Sequence, residues 1–193
     1  MDSTIEYYNK NAKKFIESTI NIDMSHLYGE FEKNIPSGGK ILDLGCGSGR
    51  DSKYFLKKGY QVTAVDASET ICKATSEYLG IDVLNMNIGN LCITDMFDGI
   101  WACASLLHIK KSDMKRVLGD LLRVLNPQGV LYASWKYGEG ERTENGKYYS
   151  DYDENQIRDL LDLSEIKYKI WISYDQTRID VRWINLIAYK DDK

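Results

Sequence analysis

The feature of this sequence that most constrains its fold is a short apolar segment that runs directly into alternating glycines. Residues 40–44 read Lys-Ile-Leu-Asp-Leu, and residues 45–49 read Gly-Cys-Gly-Ser-Gly. The apolar run predicts a buried strand, and glycines without a Cβ let the backbone turn sharply and approach a ligand closely. We expect a helix over about 50–58, ended by Gly59. The pattern predicts a strand–loop–helix unit with a ligand-binding turn.

The rest of the chain alternates between strand-like and helix-like segments. Further strands are predicted at 61–65 (ending at Asp66), 81–86, 97–104, 130–135, 166–174 and 179–189. Helices are predicted from Ser3 to about Ser18, from Ser68 to about Leu79, from a cap at Ser112 and from a cap at Asp153. Five strand–helix units and a terminal hairpin indicate the doubly wound α/β class, with a mostly parallel seven-stranded sheet and an antiparallel C-terminal hairpin. Its ligand site is expected where the first strand ends in the glycine loop.

Composition excludes several classes of function. The length of 193 residues suits one domain, and the formal net charge of −4 argues against a basic nucleic-acid footprint. Four cysteines without CxxC spacing and two histidines give no metal site, and no metal is expected. The apolar runs are too short to cross a bilayer, and no signal peptide is recognised. We expect a cytoplasmic protein without membrane contact, either a monomer or a homodimer.

Residues 41–49 resemble the glycine-rich signature of class I S-adenosylmethionine-dependent methyltransferases. The resemblance implies a Rossmann-like methyltransferase fold with S-adenosylmethionine as cofactor, held by Gly45, Cys46 and Gly47. It also implies that Asp43 receives the amino group of the methionine moiety. More broadly, the chain is similar to small bacterial methyltransferases of the tellurite-resistance type.

Asp66 and its neighbour Ala67 extend this cofactor site. Asp66 ends the second predicted strand, where an acid accepts hydrogen bonds from both ribose hydroxyls of a bound nucleoside. The rival interpretation is an NAD-binding domain, whose fingerprint is GxGxxG. Here the third glycine, Gly49, comes one residue early, and Arg50 takes the fingerprint position. The spacing therefore favours the methyltransferase interpretation.

Two further stretches resemble the methyltransferase family residue by residue. Asn87 and Ile88 fall where the family contacts adenine, and 104–108 falls in the loop beside the methyl group. In that loop Ala104 is expected at the cofactor, Ser105 on the acceptor side, and His108 as a candidate general base. The N-terminal helix often folds over the cofactor in this family, so Tyr8 or Tyr7 could attract a sulfonium through its ring.

The polar segment 136–152 follows the fifth central strand and is punctuated by glycines. We predict that it lies on the acceptor side as a lid, with Lys136, Tyr137, Arg142 and Tyr149 facing the acceptor. A solvated loop of mixed charge is the alternative. The whole chain, 1–193, is then one methyltransferase domain in which 1–36 forms a helical cap over the cofactor.

The expected reaction is in-line displacement at the methyl carbon, with a small molecule as the first choice of acceptor. A tRNA or a protein is the second choice, and Gly146 to Tyr149 is similar to an insertion in wobble-uridine tRNA methyltransferases. A third alternative is a non-catalytic sensor that only binds S-adenosylmethionine.

Overall fold

The computed structural model describes residues 2–161, 166–178 and 180–191. Its six α-helices are α1 (Asp2–Thr19), α2 (Ser25–Glu32), α3 (Arg50–Lys57), α4 (Glu69–Leu79), α5 (Lys111–Arg123) and α6 (Glu154–Leu161). Its nine strands are β1 (Lys40–Leu44), β2 (Gln61–Asp66), β3 (Val83–Asn85), β4 (Phe97–Ala102), β5 (Leu125–Lys136), β6 (Glu141–Glu144), β7 (Lys147–Ser150), β8 (Lys167–Tyr174) and β9 (Arg182–Tyr189). Two short 3₁₀ helices lie at Ile88–Asn90 and Leu106–His108. These counts refer to the described residues alone.

Seven strands form one sheet in the order β3-β2-β1-β4-β5-β9-β8. The first five strands of this order pair in parallel, and β9 and β8 close the sheet as an antiparallel hairpin. The predicted fold class is therefore confirmed. Strand order reverses between β1 and β4, so the loop after β1 opens at the edge where such sheets bind ligands.

The central strands are buried on both faces, which is why they read as continuous apolar runs. On one face Leu42 and Leu44 pack in the same cluster as side chains of α5 and α6. On the other face Ile41 packs with α2 and α3 and with Trp101, whose ring stacks on Tyr132 at a centroid distance of 4.0 Å. Alternate residues of β1 thus belong to opposite layers of the core.

Two predicted helix starts are confirmed by their hydrogen bonds. The Ser68 hydroxyl accepts a bond from the Ile71 backbone N–H at 3.2 Å, and α4 ends at Gly80 with φ +74°. The Asp153 carboxylate accepts a bond from the Gln156 N–H at 2.8 Å. Each cap satisfies a backbone donor that the first turn of a helix leaves without a partner.

Two other predicted caps are wrong. Ser3 lies inside α1, which begins at Asp2. Ser112 lies inside the first turn of α5, where Lys110 is the capping residue. There the Lys111 N–H is bonded by the carboxylate of Glu141 at 2.8 Å, so a residue distant in sequence replaces the serine as acceptor.

Strand boundaries differ from the predictions at several points. Strand β5 begins at Leu125 and includes the predicted turn at 126–129. The pairing with β4 shifts register at this point, and Gln128 adopts φ +61°. Strand β4 ends at Ala102 because the chain turns at Ala104, where φ is +53°. Helix α2 was not predicted. The predicted start of the last strand at Ile179 lies outside the described residues.

The polar segment predicted as a lid folds as a hairpin of β6 and β7. Asn145 and Gly146 form its two-residue turn with φ of +50° and +81°. Positive φ at both turn positions suits the twist of paired strands, and Asn-Gly supplies it at low cost. No helix in the described part of the chain is long and apolar enough to span a membrane.

Candidate active site

The glycine loop holds three residues in the left-handed region. Gly45, Gly47 and Gly49 have φ of +75°, +52° and +75°. A Cβ on Gly45 would lie 2.5 Å from the Cβ of Ser105, and one on Gly49 would lie 2.7 Å from the Thr75 methyl group. Gly45 therefore lets the loop touch the chain after β4, while Gly49 brings α3 close to α4.

Asp66 lies at the end of β2 and binds the glycine loop. Its carboxylate accepts bonds from the backbone N–H of Gly47 at 3.0 Å and of Ser68 at 2.9 Å. Burial raises the pKa of this carboxyl, whereas the backbone N–H donors lower it. The side chain is thus fixed at a cavity wall, with each oxygen still able to accept another bond.

A cavity of about 80 Å³ lies beside Asp66. Ala67, Asn87 and Ile88 also line it, as the sequence predicts for an adenosine site. The Asn87 side-chain oxygen accepts a bond from the Gly89 N–H at 2.9 Å, which starts the short helix there. Ser105, predicted on the acceptor side, instead lines this smaller cavity, because Gly45 lets it pack against the loop.

A second cavity of about 420 Å³ adjoins the first. The residues that line both cavities are Tyr8, Phe15, Gly45, Gly47, Ala104 and His108. Cys46, Lys136 and Tyr149 line the larger cavity alone, together with residues of the β8–β9 turn. The two spaces meet at the glycine loop and at the loop after β4.

His108 is held between the N-terminal helix and the hairpin. One ring nitrogen, Nδ1, lies 2.6 Å from the Tyr148 carbonyl oxygen, and Nε2 lies 3.0 Å from the Tyr8 hydroxyl. A carbonyl only accepts, so we assign the proton of the neutral ring to Nδ1, and Nε2 accepts from Tyr8. Burial lowers the pKa of His108 to about 4, so the ring is neutral at pH 7.

The protonation of His108 predicts a pH-dependent stability. Because its folded pKa of about 4 lies below the usual 6.5, the unfolded chain binds the extra proton first as pH falls. The contribution of the neutral His108 ring to the free energy of unfolding is complete above pH 6.5 and is lost as the pH falls toward 4. Urea unfolding at pH 7 and pH 5 should show about 2 kcal/mol of lost stability from this residue.

A His108→Gln variant isolates this contribution. Its unfolding free energy is subtracted from that of the wild type at each pH. The subtraction cancels the pH-dependent contributions of carboxyl groups that both proteins share, such as Asp43, whose pKa is raised by burial and by the charge of Asp51. A difference between the two proteins that does not change with pH would contradict the neutral, buried imidazole.

Three predicted site residues do not line either cavity. Asp43 lies behind the glycine loop, 2% exposed, and accepts a bond from the Ser52 hydroxyl at 2.5 Å. Arg142 is paired with Asp151, and its guanidinium lies 5.0 Å from the centroid of the Tyr149 ring. Tyr137 is covered by the guanidinium of Arg182 at 4.2 Å.

The sequence did not point to a buried ion pair on the wall of the larger cavity. Asp51 accepts bonds from Arg50 Nε at 2.7 Å, from the Tyr28 hydroxyl at 2.7 Å and from Trp101 Nε1 at 2.9 Å. Arg50 directly follows Gly49, and a charged pair at the start of a helix in a ligand loop is the signal that could have revealed it. Phe15 and Lys147 were also missed.

The residues present fit S-adenosylmethionine. The loop glycines form a cradle that side chains would fill, Asp66 offers a fixed acceptor for hydroxyl groups, and apolar Ile88 flanks the smaller cavity. The Ser105 hydroxyl is buried beside the cradle with no partner among the described residues, so it is able to bond a ligand. A ligand with a nucleoside at one end and a charged, flexible chain at the other matches the two joined cavities.

A doubly wound sheet with this loop and this acidic strand end defines a nucleoside-binding α/β domain. Comparison with known proteins identifies it further, because residues 41–129 match a family described as methyltransferase domain. Over these residues the chain is similar to S-adenosylmethionine-dependent methyltransferases, whose cofactor is S-adenosylmethionine.

Relatives and a solved structure agree with this class. A malonyl-acyl-carrier protein O-methyltransferase of Pectobacterium atrosepticum is 37% identical over 49% of this chain and 38% of its own length. The 2-methyl-6-phytyl-1,4-hydroquinone methyltransferase of Synechocystis is 28% identical over 78% of this chain and 48% of its own. The chain thus spans half or less of the length of these relatives.

One similar solved structure is the 1,6-didemethyltoxoflavin-N1-methyltransferase of Burkholderia thailandensis, with bound 1,6-didemethyltoxoflavin and S-adenosylhomocysteine. It has a TM-score of 0.79 and 19% identity, and the match covers 99% of this chain and 88% of that one. None of these three proteins is described as a tellurite-resistance methyltransferase, and that subtype stays a prediction.

Proposed function

We propose that this chain transfers a methyl group from S-adenosylmethionine to a small-molecule acceptor by in-line displacement at the methyl carbon. The observation that carries the proposal is the junction of the two cavities. The smaller one holds the Asp66 carboxylate and suits a nucleoside, and the larger one, of about 420 Å³, continues from the same glycine loop.

We assign the cofactor to residues that line the two cavities. Asp66 and Ala67 bind the ribose, Asn87 and Ile88 flank the adenine, and the backbone of 45–47 follows the methionine chain. Tyr8 and Ala104 lie where the two cavities meet. When bound, S-adenosylmethionine supplies an electrophilic methyl group on a sulfonium. The chain itself contributes by orienting the acceptor and by excluding water.

The proposed division of the chain gives 1–36 the role of a cap and 136–152 that of an acceptor-side wall. Contacts between α1 and β7 support it, since the Tyr148 N–H donates to the Thr4 hydroxyl at 2.9 Å and Tyr8 bonds His108. Residues of both elements line the larger cavity. A cavity of about 420 Å³ has the size of a small acceptor, whereas a folded RNA or protein, the second choice, does not fit inside it.

We propose His108 as the proton acceptor, and this role requires that its Nε2 atom be reached past the Tyr8 hydroxyl. Its Nε2 lone pair is engaged by the Tyr8 hydroxyl, so a nucleophile must displace that hydroxyl or pass its proton through it. A Tyr8→Phe variant separates these routes. If the relay operates, turnover falls and cofactor affinity does not, and if displacement operates, turnover is maintained.

Turnover separates an enzyme from a cofactor sensor. We expect purified protein with S-adenosylmethionine to form S-adenosylhomocysteine when small acceptors are added, and to form none with bulk tRNA or with protein lysate fractions. Product formation with tRNA alone would contradict the small-molecule acceptor. Binding of cofactor without turnover on any acceptor would favour the sensor alternative.

A further inference from the structure

Two lysines share one aromatic ring on the wall of the larger cavity. The Lys136 ammonium lies 4.0 Å from the centroid of the Tyr149 ring, and the Lys147 ammonium lies 5.6 Å from it and 4.5 Å from the Tyr7 ring. The Arg142 guanidinium, paired with Asp151, lies 5.0 Å from the same Tyr149 ring. Lys136 ends β5 and Lys147 begins β7, so the fold of the hairpin brings them together. Lys136, Lys147 and Tyr149 line the cavity.

The carboxylates on the same wall are already paired. Asp51 is bound by Arg50, and Asp175 accepts bonds from the Arg178 guanidinium at 2.6 Å and from Trp183 Nε1 at 3.1 Å. These donors hold the pKa of Asp175 well below its usual range. Neither carboxylate is therefore available to balance a further cation.

The two lysines, in contrast, form no ion pair with any carboxylate in the described part of the chain. Glu144 and Asp151, the nearest acids of the hairpin, are both paired with Arg142. Burial, together with the charges of Arg142 and other cations, lowers the pKa of Lys136. Unbalanced positive charge thus lies on the wall of the larger cavity, where both lysines are half-buried and solvent screens their charge less than at an open surface.

We propose that the methyl acceptor carries a carboxylate, which Lys136 and Lys147 bind beside the ring of Tyr149. The inference rests on the proposed function and names the chemistry of its acceptor. A sulfonium cofactor adds positive charge to the same cavity, so an amine acceptor is repelled there and an anionic one is attracted. The Tyr149 ring offers an apolar face to the rest of the acceptor, which orients it.

The test uses a panel of small carboxylates, each matched with its neutral carboxamide and with the corresponding amine. Binding to the protein, alone and saturated with S-adenosylhomocysteine, is measured by ligand-observed NMR. We expect carboxylates to bind at least tenfold more tightly than their amides, and amines to bind least. Lys136→Met and Lys147→Met should each remove most of this preference, and Lys136→Arg should keep it.

Lys115→Met is the matched control, because Lys115 is an exposed lysine on α5 away from the cavity. It should leave the carboxylate preference unchanged. Equal binding of the three compound classes, a preference for amines, or no binding by any carboxylate would overturn the proposal. So would a tenfold loss of S-adenosylhomocysteine affinity in Lys136→Met, which would assign the lysines to the cofactor carboxylate.

The outcome is distinguishable from failure of the proposed function. Cofactor affinity is measured separately by calorimetry, and carboxylate binding is also measured without cofactor. Loss of cofactor binding with an intact carboxylate preference would contradict the methyltransferase proposal while leaving an anion site. Intact cofactor binding without a preference for carboxylates over carboxamides and amines would contradict the proposed carboxylate site at Lys136 and Lys147 and would leave the methyltransferase proposal intact.

Discussion

Replacing Gly45 with alanine is expected to abolish measurable binding of S-adenosylhomocysteine and to lower the free energy of unfolding by about 2–4 kcal/mol. Gly45 has φ +75°, and an added Cβ would lie 2.5 Å from the Cβ of Ser105. The strained backbone and the overlap must both be relieved by moving the loop, which lines both cavities. Calorimetric titration and urea unfolding give the two quantities.

Gly80→Ala is the matched control for this substitution. Gly80 has nearly the same φ, +74°, but an added Cβ there meets no atom within 4 Å. It should cost about 1–2 kcal/mol of stability from the backbone alone and leave cofactor affinity unchanged. If Gly45→Ala bound S-adenosylhomocysteine as well as Gly80→Ala does, the close approach of loop and ligand would be refuted.

Replacing Asp66 with alanine is expected to weaken S-adenosylhomocysteine binding by about 1–3 kcal/mol, or roughly 5–150-fold. The variant loses the acceptor proposed for the ribose hydroxyls, and it also releases the Gly47 and Ser68 N–H groups that the carboxylate holds. Both effects act on the cofactor end of the site. Calorimetry at constant pH measures the change.

Asp98→Ala controls for the loss of a structural carboxylate. Asp98 accepts bonds from the Lys40 N–H and from the Asn126 amide, both at 2.8 Å, at the end of the sheet opposite the site. Its removal should lower stability and leave cofactor affinity unchanged. Equal loss of affinity in the two variants would show that Asp66 acts only through stability, which would contradict its ribose role.

The parts of this protein that were predictable from sequence are those fixed by local pattern. The glycine loop, the strand end at Asp66 and the cap at Ser68 each depend on a few neighbouring residues, and all lie as predicted. The Asn145-Gly146 turn carries an equally local signal that was available in the sequence. The hairpin could therefore have been predicted in place of a lid.

The remaining parts depend on contacts between residues far apart in the chain. Glu141 takes the place of Ser112 as acceptor at the start of α5, and Tyr8 meets His108 only because α1 packs against β7. Asp43 is predicted at the amino group of the cofactor and that role stays a prediction, but its hydrogen bond from Ser52 of α3 could not be predicted from the strand end alone. Such partners follow from tertiary packing, which periodicity and spacing do not encode.

The methyltransferase assignment depends most on which ligand the glycine loop binds. Calorimetric titration of the wild-type protein with S-adenosylhomocysteine, and separately with NAD, tests it directly. We predict saturable binding of S-adenosylhomocysteine at one site per chain and no detectable binding of NAD. Binding of NAD, or no binding of S-adenosylhomocysteine or S-adenosylmethionine, would contradict the methyltransferase assignment.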